Sequence, residues 1–311
     1  MLPSRQLKER AMTQKKMRPD ELHERIHNAL AVLHLPEMAA QLDVQAPPDE
    51  GSLEMLWRLL EPQLIARQQS AVAWRIRDAK FPEPKSLDNF QFSFQPNLDQ
   101  NRVLELATLE FVRRGENLLV AGMSGTGKSH IGIALGYLAC AAGFRTRYTT
   151  SADMLATLAA NLPTNTLAIA LRQYIRPALL IIDEVGLDRP ERETTSDAQL
   201  FYRVIRPRHQ APRTTVITSN IDWDKWGEYL GDDVATVAIL DRLIEHGHLL
   251  TINGPSYRAY EHEKLNASSA KSAEKSPAQT VQTSQRATRT EPKTKNVKKP
   301  NKTARRGGPR R

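Results

Sequence analysis

Gly122-Met123-Ser124-Gly125-Thr126-Gly127-Lys128-Ser129 is the stretch whose reading decides the fold. It satisfies the pattern G-x-x-x-x-G-K-[ST] at every fixed position, with apolar Leu118-Leu119-Val120 ahead of it and a helix-like run over 129–140 behind it. Strand, glycine-rich turn and helix in that order make a phosphate cradle, because glycines let the backbone wrap close to the charge and the helix N-terminus turns its amides toward it. Lys128 is expected to reach the β- and γ-phosphates and Ser129 to bind Mg²⁺. Gly122, Ser124, Gly125, Thr126, Gly127 and His130 complete the stretch expected to contact ATP. The bland alternative is a glycine-rich turn that only caps a helix.

A second motif argues against that alternative. Leu179-Leu180-Ile181-Ile182-Asp183-Glu184 lies 55 residues beyond Lys128 and reads as a buried strand ending in two carboxylates. Such a strand places Asp183 near the metal and Glu184 near the attacking water. An acidic pair at a strand end is ordinarily surface polarity, but its distance from a phosphate loop gives it a use.

Working outward, apolar runs at 117–121, 145–149, 178–183, 214–218 and 249–252 alternate with helix-length segments. This predicts an α/β domain around a largely parallel, buried sheet. Upstream, Leu22, Ile26, Leu30 and Leu33, then Leu53, Leu56, Leu60 and Leu64, recur at helical spacing, so residues 1–80 read as a small all-α domain of about three helices. Phe81-Pro82-Glu83-Pro84-Lys85 interrupts that pattern and opens a linker over 81–95, since each proline removes a backbone donor and biases its predecessor away from the helical region. The ATPase domain is expected over 96–265. Residues 266–311 turn to Ser, Thr, Ala, Pro, Gln and basic side chains with almost no large apolar residue, which predicts a disordered tail.

The chain carries a formal charge of +9, and its tail accounts for it: residues 266–311 hold 13 basic and 2 acidic side chains, against 31 and 33 in the remainder. A polyanion, nucleic acid by default, is the partner such a balance invites. The single cysteine, Cys140, cannot form an internal disulfide and reads as a small core residue. Its uncharged run, 131–144, is shorter than the ~20 residues a membrane helix needs, and the charged N-terminus lacks the apolar core of a signal peptide, so a cytoplasmic location is expected. His23-Glu24-Arg25-Ile26-His27 fits the zinc-protease pattern H-E-x-x-H, but two histidines meeting by chance on a solvated helix explain it better. His246-Gly247-His248 reads as a helix end with Gly247 as its cap.

Further residues outside these motifs single out one family. Ala79-Lys80-Phe81-Pro82 with Phe90 downstream, Arg114-Gly115-Glu116-Asn117, Thr218-Ser219-Asn220 before Trp226-Gly227-Glu228, and Ile239-Leu240-Asp241-Arg242-Leu243 together resemble the IstB-like ATP-binding proteins. These are ATPase helpers of an insertion-sequence transposase and relatives of the DnaC helicase loader. The resemblance runs from Leu33-His34-Leu35-Pro36-Glu37-Met38-Ala39 to Ser256-Tyr257-Arg258. It implies a bacterial P-loop AAA+ core with a five-stranded parallel sheet, subunits that assemble on double-stranded DNA with ATP, and contact with a transposase. Within it, Asn220 would orient the hydrolytic water from the end of the strand-like run Thr215-Val216-Ile217-Thr218-Ser219-Asn220, Arg242 would be the arginine finger reaching a neighbour's γ-phosphate, and Arg258 a second nucleotide-sensing arginine. About 45 residues between Asn220 and the tail are too few for a full C-terminal lid. A helicase loader shares all these motifs, and a passive DNA-binding scaffold is the third reading, against which Glu184 argues.

Overall fold

The computed structural model describes residues 17–44, 50–187 and 197–273. Five parallel strands form one sheet in the order β2-β3-β4-β1-β5: β1 (Asn117–Gly122), β2 (Thr146–Thr150), β3 (Leu179–Val185), β4 (Thr214–Ser219) and β5 (Gly247–Ile252). All five sit where the apolar runs predict them, each end within two residues. Alternation along the strands sends side chains to both faces, and helices cover each. Leu119, Leu180, Ile182 and Ile217 face one layer, packing with Leu155, Phe201 and Trp226. Leu118, Val120, Ile181 and Val216 face the other, where Ile131 and Leu135 lie.

Twelve α-helices, α1 to α12, occur among the described residues. The helices α1 (Pro19–Leu33), α2 (Pro36–Val44) and α3 (Glu50–Ala79) form an N-terminal bundle, whose core is Leu22, Ile26 and Leu30 of α1 against Leu53 and Leu60 of α3. His34, at φ 57°, ends α1 in the left-handed conformation, and Pro36 starts α2. Two short helices, α4 (Gln100–Ala107) and α5 (Glu110–Arg114), lead into β1, and α6 (Lys128–Ala141) follows the phosphate loop. Then α7 (Ser151–Ala160) and α8 (Leu167–Ile175) precede β3, and α9 (Asp197–His209) precedes β4. After β4 come α10 (Trp226–Leu230), α11 (Asp233–Ile244) and, beyond β5, α12 (Tyr257–Ala273). This is the P-loop AAA+ core with a reduced C-terminal part. The described residues to Glu263 form one compact unit, and those from Lys264 belong to a second. The last helix runs past the tail boundary expected at 266 to Ala273. The rest of the basic tail lies outside the described residues, as do Pro47 and Pro48.

Residues 81–95 hold two 3-10 turns, Leu87–Asn89 and Phe92–Phe94, and no longer element. They are nevertheless seated. Phe81 stacks on Tyr137 of α6 with ring centres 4.6 Å apart, and Phe90 and Phe92 pack against the sheet's second layer. Cys140 is buried as expected, and burial pushes its thiol up. Arg208 of α9 carries no sequence signal, yet it is fully buried: it donates to the carbonyls of Tyr174 (2.8 Å) and Pro177 (2.9 Å) and to Thr215 Oγ1 (3.0 Å). Loss of water around it lowers its guanidinium to about 9.

The cap assigned to Gly247 is a misreading. The C-cap of α11 is Glu245, and Gly247 is the first residue of β5. A Cβ there would run into the carbonyl oxygen of Leu243, so glycine is needed for the close approach of strand to helix end and not for a left-handed cap. His248 beside it bridges Glu116 (2.7 Å) and Arg102 (2.6 Å). The rings of His23 and His27 lie 4.9 Å apart on α1, and among the described residues no cluster of three or more metal-binding side chains forms there or elsewhere. No described helix is long and apolar enough to cross a membrane.

Candidate nucleotide site

The site lies at the C-terminal edge of the sheet, where β1, β3 and β4 end side by side. β1 stops at Gly122, and the loop that follows turns through Gly125 (φ 80°) and Gly127 (φ 101°) before α6 starts at Lys128. Both glycines are needed twice over. Each has a backbone that L side chains rarely adopt, and a Cβ on either would strike a neighbour, the Ser256 side chain for Gly125 and the Phe90 ring for Gly127. Thr126 is buried and donates to the carbonyl of Met123 at 2.8 Å. The Lys128 ammonium donates to the same carbonyl at 2.7 Å. Burial pulls Lys128 down to about 8, and the charge of Arg258 adds to that, while Asp183 and Glu184 oppose it.

Next to the loop, Asp183 is held from three sides. One carboxylate oxygen accepts the Ser129 hydroxyl at 2.9 Å and the Thr218 hydroxyl as well, and the other accepts the Tyr148 phenol at 2.7 Å. The carboxylate and the serine hydroxyl are a pair of hard oxygen donors. They suit Mg²⁺, which keeps most of its shell for water and phosphate oxygens and asks few ligands of the protein. Burial and the neighbouring carboxylates push the Tyr148 phenol far above its ordinary range, so it stays a donor.

Glu184 follows in a left-handed conformation, φ 61°, where the register of β3 against β4 shifts between Ile182 and Val185. Its backbone amide donates to Thr218 Oγ1 at 3.0 Å. The bulge turns the Glu184 side chain out of the pleat and into the cavity, and a non-glycine residue held this way carries backbone strain of the kind that clusters at active sites. Thr218 thus grips Asp183 through its proton and Glu184 through its lone pair. Asn220, one residue beyond β4, donates its backbone amide to the Val185 carbonyl at 3.2 Å and lines the same cavity.

That cavity measures about 370 Å³ and brings together Ser124 to His130, Glu184, Asn220 and Arg258. A second, of about 510 Å³, shares Ser129, Glu184 and Arg258 with it and is lined by Asp183 as well. Gly122 lies just behind the loop, its Cα backed against the carbonyl of Ile252. His130 has a different occupation from its neighbours. Its Nε2 lies 2.8 Å from the Ser86 carbonyl and its ring meets Phe90 edge-on, so it fastens residues 81–95 to α6; burial lowers its pKa. Arg242 is not drawn into either cavity. It donates to the Ala238 carbonyl at 2.6 Å and lies 5.0 Å from the centre of the Tyr202 ring.

Sequence reasoning missed the far wall of the cavity, formed by Phe90, Phe94, Gln91 and Tyr257. The aromatic alternation Phe90, Phe92, Phe94 was the available signal, since a solvated linker has no use for three phenylalanines. It also missed the roles of Tyr148 and of Thr218, quoted only as part of a family pattern, because both depend on strand register. Replacing Thr218 with valine keeps the shape but leaves the Glu184 amide without its acceptor, which costs about 1–3 kcal/mol when buried. Steady-state kinetics of Thr218→Val should show kcat reduced about tenfold or more with nucleotide affinity within about threefold of wild type, and Thr218→Ser should recover most of the rate. An unchanged kcat in the valine variant removes Thr218 from the positioning of the two carboxylates.

The family model described as IstB-like ATP binding protein matches residues 27–265. A protein named for ATP binding in insertion sequence IS5376 of Geobacillus stearothermophilus is 36% identical over 245 residues, covering 77% of this chain and 96% of that one. Its counterpart in insertion sequence IS21 of Pseudomonas aeruginosa is 38% identical over 223 residues, covering 72% of this chain and 83% of the relative. Among solved structures, the DnaC helicase loader is similar with a TM-score of 0.41 and 21% identity, covering 57% of this chain and 98% of that one. DnaA from Aquifex aeolicus with AMPPCP bound has a TM-score of 0.47 at 21% identity, covering 60% and 57%.

Proposed function

The chain belongs to the family of IstB-like ATP-binding proteins, and from that premise we propose that it hydrolyses ATP to control an oligomeric grip on double-stranded DNA, where it recruits or activates the transposase of its own element. The observation that carries the hydrolytic part is the conformation of Glu184. A site that only held nucleotide would gain nothing from a carboxylate kept in a left-handed bulge beside Ser129 and Asp183. The relatives' association with insertion sequences favours a transposition helper over a helicase loader, which would share every motif in the site.

In this reading Lys128 reaches the β- and γ-phosphates, and the amides at the start of α6 face the same charge. Ser129 and Asp183 would hold Mg²⁺, which would supply positive charge to offset the negative charge building up on the transferring phosphate. Glu184 accepts the proton of the attacking water, Asn220 fixes that water's direction, and Thr218 and Tyr148 keep the acidic pair in place. Arg258, on the rim of both cavities, senses the phosphates from the start of α12. The basic tail adds phosphate contacts without sequence preference.

Arg242 has the remaining role, as a finger supplied to the neighbouring subunit. Its own-chain partners, a carbonyl and the Tyr202 ring, are ones a guanidinium can exchange for a phosphate. An arginine finger is worth about 10³ or more in rate. Arg242→Ala should therefore bind ATP with near-normal affinity and hydrolyse almost none. Mixing it with Lys128→Ala should restore turnover, because each variant lends the other an intact half-site. Mixed oligomers that stay inactive at every ratio would refute action in trans.

A further inference from the structure

We infer that the exposed face of α3 is a duplex-DNA contact surface, with Arg67 and Arg77 holding phosphates on either side of Trp74. The inference rests on the DNA-binding reading above and names the part of the folded body that would carry it. At 30 residues α3 is about 45 Å long. It is anchored toward its ends, at Leu53 and Leu60 in the N-terminal bundle and at Ala79 and Asp78 on the sheet's β2 edge, where Asp78 meets Arg145 at 3.2 Å. Between those anchors it is bare: from Pro62 to Ser70 every residue is exposed except Leu64, which is half-buried.

One stripe along this bare helix has a consistent chemistry. Gln63, Arg67, Ser70, Trp74 and Arg77 fall at spacings of four, three, four and three, which puts them on a single face. All five are exposed, and Trp74 is 54% exposed although indole is highly buried on average. Among the described residues Arg67, Trp74 and Arg77 make no hydrogen bond, ion pair or ring contact. The stripe offers hydrogen-bond donors at every position and no carboxylate.

Its surroundings have the same sign. From 62 to 80 the chain carries Arg67, Arg75, Arg77 and Lys80 against Asp78 alone, and Asp78 is engaged by Arg145. The chain ahead of the tail is slightly acidic as a whole, so this concentration is local and does not follow from composition. A polyanion is the complementary partner. Arg67 and Arg77 lie about 15 Å apart along the axis, a little more than the ~12 Å width of a duplex major groove, so they can hold phosphates on its two sides. The planar guanidinium suits phosphate better than an ammonium does, and the indole between them offers a flat face and one N–H donor to the sugar-phosphate edge.

The experiment compares duplex binding by full-length wild type, Arg67→Ala/Arg77→Ala, and Arg113→Ala/Arg114→Ala. The third removes the same charge at α5 and serves as control. A fluorescent duplex of mixed sequence is titrated over a salt series with ATP present, and ATP binding by each variant confirms folding. Every phosphate that the protein no longer neutralises should reduce the slope of log affinity against log salt by about 0.9, so the α3 double variant should fall short of wild type by nearly two units of slope and about tenfold or more in affinity at low salt. The control should match wild type. If wild type holds duplex and the α3 variant has the same slope and affinity, the surface does not touch DNA. The same follows if duplex binding is normal but the purified transposase no longer associates, which would make the stripe a protein-docking face. If the α5 control falls as far as the α3 variant, the effect is one of net charge and the inference fails. Absence of any duplex binding by wild type would instead overturn the DNA-binding reading on which it rests.

Discussion

Lys128→Ala is expected to weaken ATP binding by about 10²-fold or more, the largest effect any single substitution in the site should have. Lys128 is 5% exposed, and its ammonium has one carbonyl partner, so its position is set by the loop and its charge is available to phosphates. Truncating one partner of a buried charge pair costs about 2–5 kcal/mol, and each 1.4 kcal/mol is tenfold. The same residue predicts a pH dependence with a definite sign. Its pKa of about 8 in the free protein is depressed chiefly by burial, and bound phosphates would raise it. Below pH 8 the ammonium is already charged, so binding takes up no proton there. Above pH 8 binding must protonate it, and wild-type affinity should fall by up to about tenfold per pH unit while proton uptake approaches one. Calorimetry of ATP binding at pH 7 and pH 9 in buffers of different ionisation heat measures both. Proton uptake that persists in Lys128→Ala would assign the effect to another group.

Glu184→Gln is expected to separate binding from turnover. The amide fills the same volume, and the backbone bond from residue 184 to Thr218 is untouched, so ATP affinity should stay within about threefold. A positioned general base contributes about 10²–10⁴ in rate, and kcat should fall by that amount. Quenched-flow measurement of a single turnover distinguishes slow chemistry from slow product release. A wild-type rate in Glu184→Gln, with DNA present, would remove Glu184 from the mechanism.

What the sequence made legible was what phosphate chemistry imposes on residue identity. The loop from Gly122 to Ser129 cannot cradle a phosphate without its glycines, its lysine and its hydroxyl, so the site is written in consecutive letters. The placement of Asp183, Glu184 and Asn220 beside that loop was readable for a related reason: each lies near or just past the end of an apolar strand, and parallel strands end on one edge. Thr218 and Tyr148 were not readable, because a threonine and a tyrosine become partners of Asp183 only once β2, β3 and β4 are in register. The wall made by Phe90 and Phe94 was hidden by the prolines ahead of it, which forbid regular structure without forbidding packing. Gly247 misled for the opposite reason. Glycine after a helix is commonly a cap, and only the three-dimensional approach of β5 to the Leu243 carbonyl reveals the other use. Arg208 shows the same limit, since nothing local distinguishes a buried arginine bonded to carbonyls from a solvated one.

The chemistry at Glu184 is proposed to set how long the protein holds duplex DNA. The most direct test is the rate at which protein leaves a fluorescent duplex after ATP is added and then chased with excess unlabelled duplex, measured side by side for wild type and Glu184→Gln. Wild type is expected to depart at the rate of its own ATP turnover, and Glu184→Gln to remain bound for longer by the same factor by which its hydrolysis is slowed. Departure at one rate in both proteins, or binding indifferent to whether ATP or ADP is present, would contradict that coupling.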